Sequence, residues 1–408
     1  MNDRFVVPGR LKITSLILIA IGIITLVAGA VCLLMGNNDT ERARFWLVLL
    51  HDSIFFALIT TVSIFIMSAA TLAHGAWIVA YRRVTEAIGA NVWLFCTICG
   101  AVLLLIVFTF KDAHGVNTIY RWVTEAEPGK DKVLLGKKAF LNKGMFVGFT
   151  LVTFGLWSLI GRRFRSMSIA QESAPKNDTK IYWKVFRMSG LFLLVYALSQ
   201  MSTTPWLWIM SIQAHWFSTL FSWYTFASAF VSGMSLILLW VVYLKNQGNL
   251  ELVTKEHMHD LGKFMFAFSI FWTYLWFAQY MLQWYANIPD ETTFIKMRQQ
   301  GPYSVIFYAN FIINFCMPIL ILMARPSKRN YFTVTFMAMI IIFGHWLDYF
   351  QMIMPAPLGA NWHINWYEIG IFMGFAGLLI FSVSRTLAKT SLVPANNLLL
   401  KETIVHIS

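Results

Sequence analysis

Two histidine–aspartate pairs lie inside long apolar stretches of this chain. His51 and Asp52 are adjacent, and His345 and Asp348 are three residues apart, which places both side chains on one face of a helix. Ionisable groups are rare in such stretches and usually mark an ion or proton pathway. Imidazole and carboxylate pairs suit proton transfer, because their pKa values can be tuned across the neutral range. The alternative is that they only form hydrogen bonds between helices. Burial favours the functional interpretation for the first pair and leaves both open for the second.

Further polar residues accompany these pairs. Gln200 occupies the place in an earlier stretch that Asp348 occupies in a later one, and Gln351 follows Asp348 by about one turn. His363 and Glu368 flank the start of the last stretch, where we expect a hydrated, interfacial position.

A second polar set is expected at the other side of the same helices. His257, His259 and Asp260 open one helix, and Glu86 opens another. The first three are metal-ligand types, but a spacing of two places the histidines on different helix faces, so we predict no metal site. An acid in the first turn also compensates the helix dipole. Proton entry and dipole compensation both remain open for this set.

The elements that hold these residues are membrane-spanning helices. Apolar residues make up 58% of the 408-residue chain and charged residues only 12%, against about a quarter charged in soluble domains. The apolar runs have helix length, since about 20 residues span a bilayer as a helix and about 10 as a barrel strand. We predict an all-α polytopic membrane protein with ten helices, at 13–35, 45–71, 87–110, 139–161, 188–204, 217–244, 258–285, 303–324, 331–353 and 366–384. These bounds place His51 and Asp52 about one turn into the second helix. Residues 73–85 extend that helix or lie at the interface.

The charge distribution predicts the orientation. The loops on the side of both chain ends contain 20 Lys and Arg residues, and those on the other side contain 10. Basic loops face the cytoplasm, so both termini are expected there. The formal net charge of +13 is then an anchoring feature and not a nucleic-acid interface. The first apolar run is too long for a cleavable signal peptide, and we expect it to remain as a helix.

The cysteines and histidines do not indicate a bound redox centre. All four cysteines lie within apolar runs, where packing is the simplest interpretation; they are Cys32, Cys96, Cys99 and Cys316. The histidines lack the pairing that two stacked haems require, although a single haem between His51 and His345 stays open. We therefore expect no metal or covalent cofactor in this chain.

Helices two to five and six to nine look like two parallel copies of one unit. In each copy the second helix opens with an acid and a glycine, and the third has an early asparagine and a basic exit. We predict four segments: 1–44 with the first helix, 45–204 and 205–353 as two four-helix bundles, and 354–408 with the last helix and a C-terminal tail. The loops after helices five and nine have no charged residue. The first is rich in tryptophan (Trp206, Trp208, Trp216 and Trp223) and is expected to contact a partner or lipid headgroups.

This pattern resembles the NrfD-like family, also called the polysulfide-reductase membrane-subunit family. The resemblance covers about residues 13–384 and rests on the topology, the repeat and three strings: LHDS at Leu50–Ser53, HMHDLGK at His257–Lys263 and GHWLD at Gly344–Asp348. Within the family, the chain is most similar to the smaller such subunit of bacterial alternative complex III, a quinol:electron-acceptor oxidoreductase.

The resemblance implies a setting in the bacterial cytoplasmic membrane. It implies a sister NrfD-like subunit, extracytoplasmic iron–sulfur and cytochrome c subunits that carry the clusters and haem, and a terminal oxidase as a further partner. Menaquinone or another quinone would be the bound cofactor, and electron transport with proton translocation the activity of the complex.

Carried over by position, His51 and Asp52 would contact the quinone. The proton path would use residues at both sides of the membrane; they are His345, Asp348, Gln200, His257, His259, Asp260 and Glu86. Gln200 stands where the second repeat has Asp348, which puts a quinone site in this subunit in doubt. A secondary transporter and a purely structural scaffold subunit are the alternative functions.

Overall fold

The computed structural model describes residues 4–36, 38–127, 130–175 and 179–406, and these ranges contain helices and no strand. Ten helices are long and apolar enough to cross a membrane, which confirms the predicted all-α polytopic architecture. They are α1 (Gly9–Leu34), α2 (Asp39–Leu72), α3 (Ala76–Thr109), α4 (Lys143–Glu172), α5 (Lys180–Gln213), α6 (Leu220–Asn246), α7 (Lys255–Ala286), α8 (Gly301–Leu322), α9 (Tyr331–Ile353) and α10 (Trp366–Leu387). The side on which α1 begins and α10 ends is called the terminal face below, and the other side the opposite face.

Short polar side chains begin several of these helices. The side chain of Asn38 accepts a hydrogen bond from the backbone N–H of Thr40, and that of Asn142 accepts one from Met145. Thr254, Asn330 and Asn365 cap α7, α9 and α10 in the same way. Such caps satisfy backbone N–H groups that have no partner within the helix. The helix starts are thus specified locally, while the apolar runs specify their lengths.

Helices α2 to α5 pack in a closed ring in which each helix contacts the next and α5 returns to α2. Helices α6 to α9 form a second ring of the same kind, and α2 packs against α6 between the two. In both α2 and α6, 89% of the most apolar segment is buried, against 22% in α1. The two long helices are therefore the centre of the molecule, and α1 is at its edge.

Helix α1 is attached through α10, and small residues make the contact. Gly22 and Gly374 face each other so closely that a Cβ on Gly374 would lie 2.7 Å from the Cα of Gly22. Gly377 packs against the α1 backbone at Ser15 and Ile19, and Gly370 against Thr25. Small residues let helices approach closely in lipid, where no hydrophobic force drives them together. Helix α10 in turn packs on α2 and α3.

Three sequence expectations are corrected by the structure. Residues 73–85 do not extend α2: the chain turns at His74, which has a φ of 51°, and residues 76–85 belong to α3, while their place at the membrane interface stays a prediction. Helix α2 begins at Asp39, so His51 lies more than three turns inside it and not one. Helix α5 continues to Gln213, so most of the expected uncharged loop is helical.

The four tryptophans near the end of α5 and the start of α6 do not form one outward surface. Trp208 is buried and donates to the hydroxyl of Thr150 at 2.9 Å, and Trp216 stacks on Phe294 with ring centroids 3.8 Å apart. Trp223 is 46% exposed and Trp206 is half-buried. Contact with a partner or with headgroups therefore stays a prediction for these last two only.

Replacing Gly374 with leucine should detach α1 from α10, because the new side chain has no space against Gly22. Overpacking of this kind costs about 1–3 kcal/mol. We expect a lower thermal unfolding temperature in detergent and loss of a disulfide engineered between α1 and α10. Gly148→Leu in α4 is the control, because nothing lies within 4 Å of a Cβ added there. Equal stability of the two variants would contradict this account of the contact.

Candidate functional site

The carboxylate of Asp348 lies at the centre of the second ring and accepts hydrogen bonds from three neutral groups. The hydroxyl of Tyr224 donates to one oxygen, and the hydroxyl of Ser228 and the indole N–H of Trp272 donate to the other, each at 2.9 Å. Asp348 is 1% exposed. Helices α6 and α7 thus supply the donors for an acid on α9, which satisfies a charge that would be costly to leave unpaired in hydrocarbon.

His345 is linked to the same carboxylate through Ser228. Its Nδ1 lies 3.0 Å from the serine Oγ, and that oxygen lies 2.9 Å from Asp348. Because the serine hydroxyl has one proton, donation to Asp348 makes the imidazole Nδ1–H the donor to the serine. The Nε2 of His345 has no hydrogen-bond partner among the described residues. The arrangement is a short relay from imidazole to hydroxyl to carboxylate.

Trp346 connects this set to His51 and Asp52 in α2. Its indole N–H donates to the Asp52 carboxylate at 2.7 Å, and its backbone carbonyl accepts from Nε2 of His51 at 2.9 Å. The Nδ1 of His51 lies 3.6 Å from the Asp52 carboxylate. Trp346 stands between His345 and Asp348 in α9, so one stretch of that helix contacts the polar pairs of both rings.

An ion pair lies between this region and the opposite face. Arg44 in α2 donates to both carboxylate oxygens of Glu368 in α10, at 2.7 and 2.8 Å, and also contacts His363. Glu368 is 1% exposed, so the expectation of a hydrated position is wrong for this residue, while His363 is exposed as expected. Besides the ion pair, the Glu368 carboxylate accepts a hydrogen bond from the backbone N–H of Asn365 at the start of α10. These contacts satisfy the carboxylate in its buried position.

A small cleft reaches Asp348 from the side of the helix Pro289–Gln299. Its volume is about 30 Å³, and Tyr224, Arg298 and Gln351 line it together with aromatic rings. A polar cavity of this size can hold a water molecule, which needs about 10–15 Å³. Asp348 therefore has a neighbouring space through which a proton carrier could reach it.

Arg298 is the cation of this cleft. Its guanidinium donates to the carbonyls of Gln351 and Met352, at 2.9 and 3.1 Å, which are among the last carbonyls of α9. A cation at that end complements the helix dipole. Burial lowers the pKa of Arg298 to about 9, so the group is still charged at neutral pH.

Two buried amides lie in widened helical turns. Gln200 is in the π-helical segment Ser199–Thr203 of α5, and Asn314 is in the corresponding kind of segment, Ile312–Cys316, of α8. Neither amide has a hydrogen-bond partner among the described residues, so the structure does not join Gln200 to His51 or Asp348. Widened turns of this type are frequent at functional sites.

On the terminal face, Glu86 lies between two arginines. Arg82 and Arg83 donate to its carboxylate at 2.8 and 2.9 Å, and Arg83 also reaches Glu172 of α4 at 2.5 Å. Glu86 does not open a helix as expected, because α3 begins ten residues earlier, at Ala76. Glu86 thus holds Arg83, and Arg83 joins α3 to α4.

The C-terminal segment covers the start of α7. His406 lies 2.6 Å from the Asp260 carboxylate, which also pairs with Lys263 at 2.7 Å, and Thr403 lies 3.1 Å from Nε2 of His257. His259 is buried nearby. Within the described ranges, no group of three or more His, Cys, Asp or Glu side chains is arranged to hold a metal ion.

Comparison of the chain with known proteins adds no assignment. No protein-family model matches it, and no curated protein matches it. The site must therefore be judged from its own geometry.

The sequence pattern identified the acids and imidazoles but missed most of their partners. The missed partners are Arg44, Tyr224, Trp272 and the indole of Trp346, and each is distant in sequence from the acid it contacts. The one available signal was Trp346, which stands inside the GHWLD string.

Replacing Glu368 with leucine should destabilise the protein strongly, because Arg44 would be left buried without its counter-charge. Removing one partner of a buried pair costs about 3–5 kcal/mol. The double variant Arg44→Met/Glu368→Leu should recover much of that loss in thermal unfolding. Glu127→Gln, which breaks an exposed pair with Lys130, should leave the unfolding temperature unchanged. A double variant less stable than Glu368→Leu alone would refute the ion-pair explanation.

Proposed function

We propose that this chain is a membrane subunit of a quinol-oxidising respiratory complex of the alternative complex III type, in which it carries protons and holds no redox centre of its own. Two lines support this proposal. One is the resemblance of its strings and topology to NrfD-like subunits. The other is the pair of hydrogen-bonded sets around Asp348 and His345 and around Asp52 and His51, which meet at residues 345–348 of α9.

The orientation follows from charge. The terminal face bears the loops with 20 basic residues and would lie in the cytoplasm of a bacterial inner membrane, with both chain ends there. The opposite face would then contact extracytoplasmic iron–sulfur and cytochrome c subunits, with a sister NrfD-like subunit beside the chain in the membrane and a terminal oxidase as a further partner.

The observation that carries the proton role is the donor set of Asp348. Three neutral donors hold this carboxylate beside a water-sized cleft, and among the described residues no Lys or Arg forms an ion pair with it; the imidazole of His345 lies 3.9 Å away. Such an acid can take up a proton without breaking a salt bridge. Ser228 connects the imidazole of His345 to this carboxylate, which gives a proton a hydrogen-bonded route between the two groups.

A quinone is less well accommodated than a proton. His51 and Asp52 have no exposed surface, so a quinone headgroup could contact them only if α2 and α9 moved apart. The cleft at Asp348 has about 30 Å³, far below the roughly 300 Å³ at which ligand pockets begin. We therefore assign quinol oxidation to the sister subunit and proton movement to this chain.

Asp348→Asn in the intact complex should lower proton translocation per electron by at least about tenfold, because the amide cannot accept and release the proton. The complex should still assemble, since asparagine keeps the shape of the group. Proton release is measured with a pH-sensitive dye in vesicles during quinol oxidation. The matched control is Asp290→Asn, at an exposed position in the first turn of the helix Pro289–Gln299.

Normal coupling in Asp348→Asn would refute the proton role. Solute transport by the purified chain alone in liposomes would favour a secondary transporter instead. Purification of the chain without haem or iron–sulfur subunits would remove the respiratory assignment.

Trp346→Phe should weaken the connection between the rings, because phenylalanine cannot donate to Asp52. We expect proton translocation to fall by a smaller factor than in Asp348→Asn while quinol oxidation continues. Trp366→Phe is the control, since Trp366 is 44% exposed at the start of α10. Equal coupling in both tryptophan variants would show that the two rings act independently.

A further inference from the structure

A long apolar groove lies between the α1–α10 pair and the second ring. Leu239 and Tyr243 of α6 and Ile342 of α9 form one wall, Phe372 and Ala376 of α10 form the other, and α2 forms the floor. The groove has a volume of about 440 Å³, within the range of about 300–1,000 Å³ found for ligand pockets. It takes no part in the polar site described above.

The depth of the groove matches one leaflet of a bilayer. Along α10 it extends from Phe372 to Ile380, about 12 Å at 1.5 Å per residue, and along α6 from Leu236 to Asn246, about 15 Å. Half of a bilayer's hydrocarbon core is about 15 Å thick. Asn246 is the last residue of α6 and Leu11 the third of α1, so this end of the groove is at the terminal face. The groove therefore has the length and depth of one acyl chain of that leaflet.

At the terminal face, the lining of the groove changes from apolar to polar side chains. Tyr243 and Asn246 provide polar groups at the level where headgroups begin, as interfacial aromatic residues do. Leu11 of α1 lines the groove, and the residues that precede and follow it in sequence, Arg10 and Lys12, are both exposed. Two basic side chains at this depth attract an anionic headgroup. A phospholipid with an acidic headgroup has both complementary parts, because its headgroup would lie at the basic rim and its acyl chain in the apolar groove.

We infer that this groove binds an anionic phospholipid of the leaflet at the terminal face, with one acyl chain between α6 and α10 and its phosphate beside Arg10 and Lys12. The chain gains van der Waals contacts with walls that would otherwise lack partner atoms. Because hydrocarbon surrounds the groove in any case, the charge at the rim decides which lipid is retained. The inference does not depend on the proposed respiratory function.

The test is lipid retention in native mass spectrometry. The protein, purified in mild detergent as the full chain or in its complex, is incubated with equal amounts of phosphatidylglycerol and phosphatidylcholine and then washed. The unsubstituted protein should keep one phosphatidylglycerol. Ala376→Trp fills the groove and should reduce retained lipid at least fivefold. Ala101→Trp, the same substitution at an exposed position of α3, should retain it fully.

Two further variants cover a folding defect in Ala376→Trp. Leu239→Trp fills the groove from the other wall, and Arg10→Gln/Lys12→Gln alters only exposed side chains. The latter should abolish the preference for phosphatidylglycerol over phosphatidylcholine. Retention by both tryptophan variants, or an unchanged preference in the double variant, would overturn the inference. Loss of a co-purified quinone instead of phospholipid, or capture of a partner's helix by a photocrosslinker at Leu239, would overturn it as well.

Discussion

Ionisable side chains are costly in hydrocarbon unless they are paired or hydrogen-bonded within the protein. In this chain that constraint is met mainly at one stretch of α9. His345, Trp346 and Asp348 contact α2, α6 and α7 through hydrogen bonds of 2.7–3.0 Å and the Tyr224 contact. The two rings are therefore joined by polar contacts as well as by the packing of α2 on α6, and the position of α9 determines both polar pairs.

The edge of the molecule is held by a different physical means. Helix α1 has little buried surface and attaches through the glycines that it shares with α10. Helix α10 is fixed to α2 by the Arg44–Glu368 pair near the opposite face. Toward the terminal face, the seam between α10 and the second ring remains open as the apolar groove. Close packing, an ion pair and a space for lipid thus follow one another along a single helix.

The two faces differ in what their polar groups can do. On the terminal face, Glu86 is held by two arginines, and Asp260 is held by Lys263 and His406, so these acids hold structural ion pairs. In the half nearer the opposite face, Asp348 and Asp52 accept from neutral hydroxyl and indole groups. That difference favours proton exchange at the second set.

The sequence by itself determined the number of helices, their approximate limits and the residues that carry ionisable groups. Helix length, end caps and apolar composition are local properties, so the predicted bounds 331–353 agree with α9, and 366–384 ends three residues before α10 does. Only the tertiary structure decided that Glu368 is buried, that His51 lies deep in α2, and that Arg44, Arg298 and Trp346 complete the site. These partners come from helices far apart in the chain, and no local pattern records which helix faces which. The sequence could not predict the groove either, because its lining residues come from separate helices.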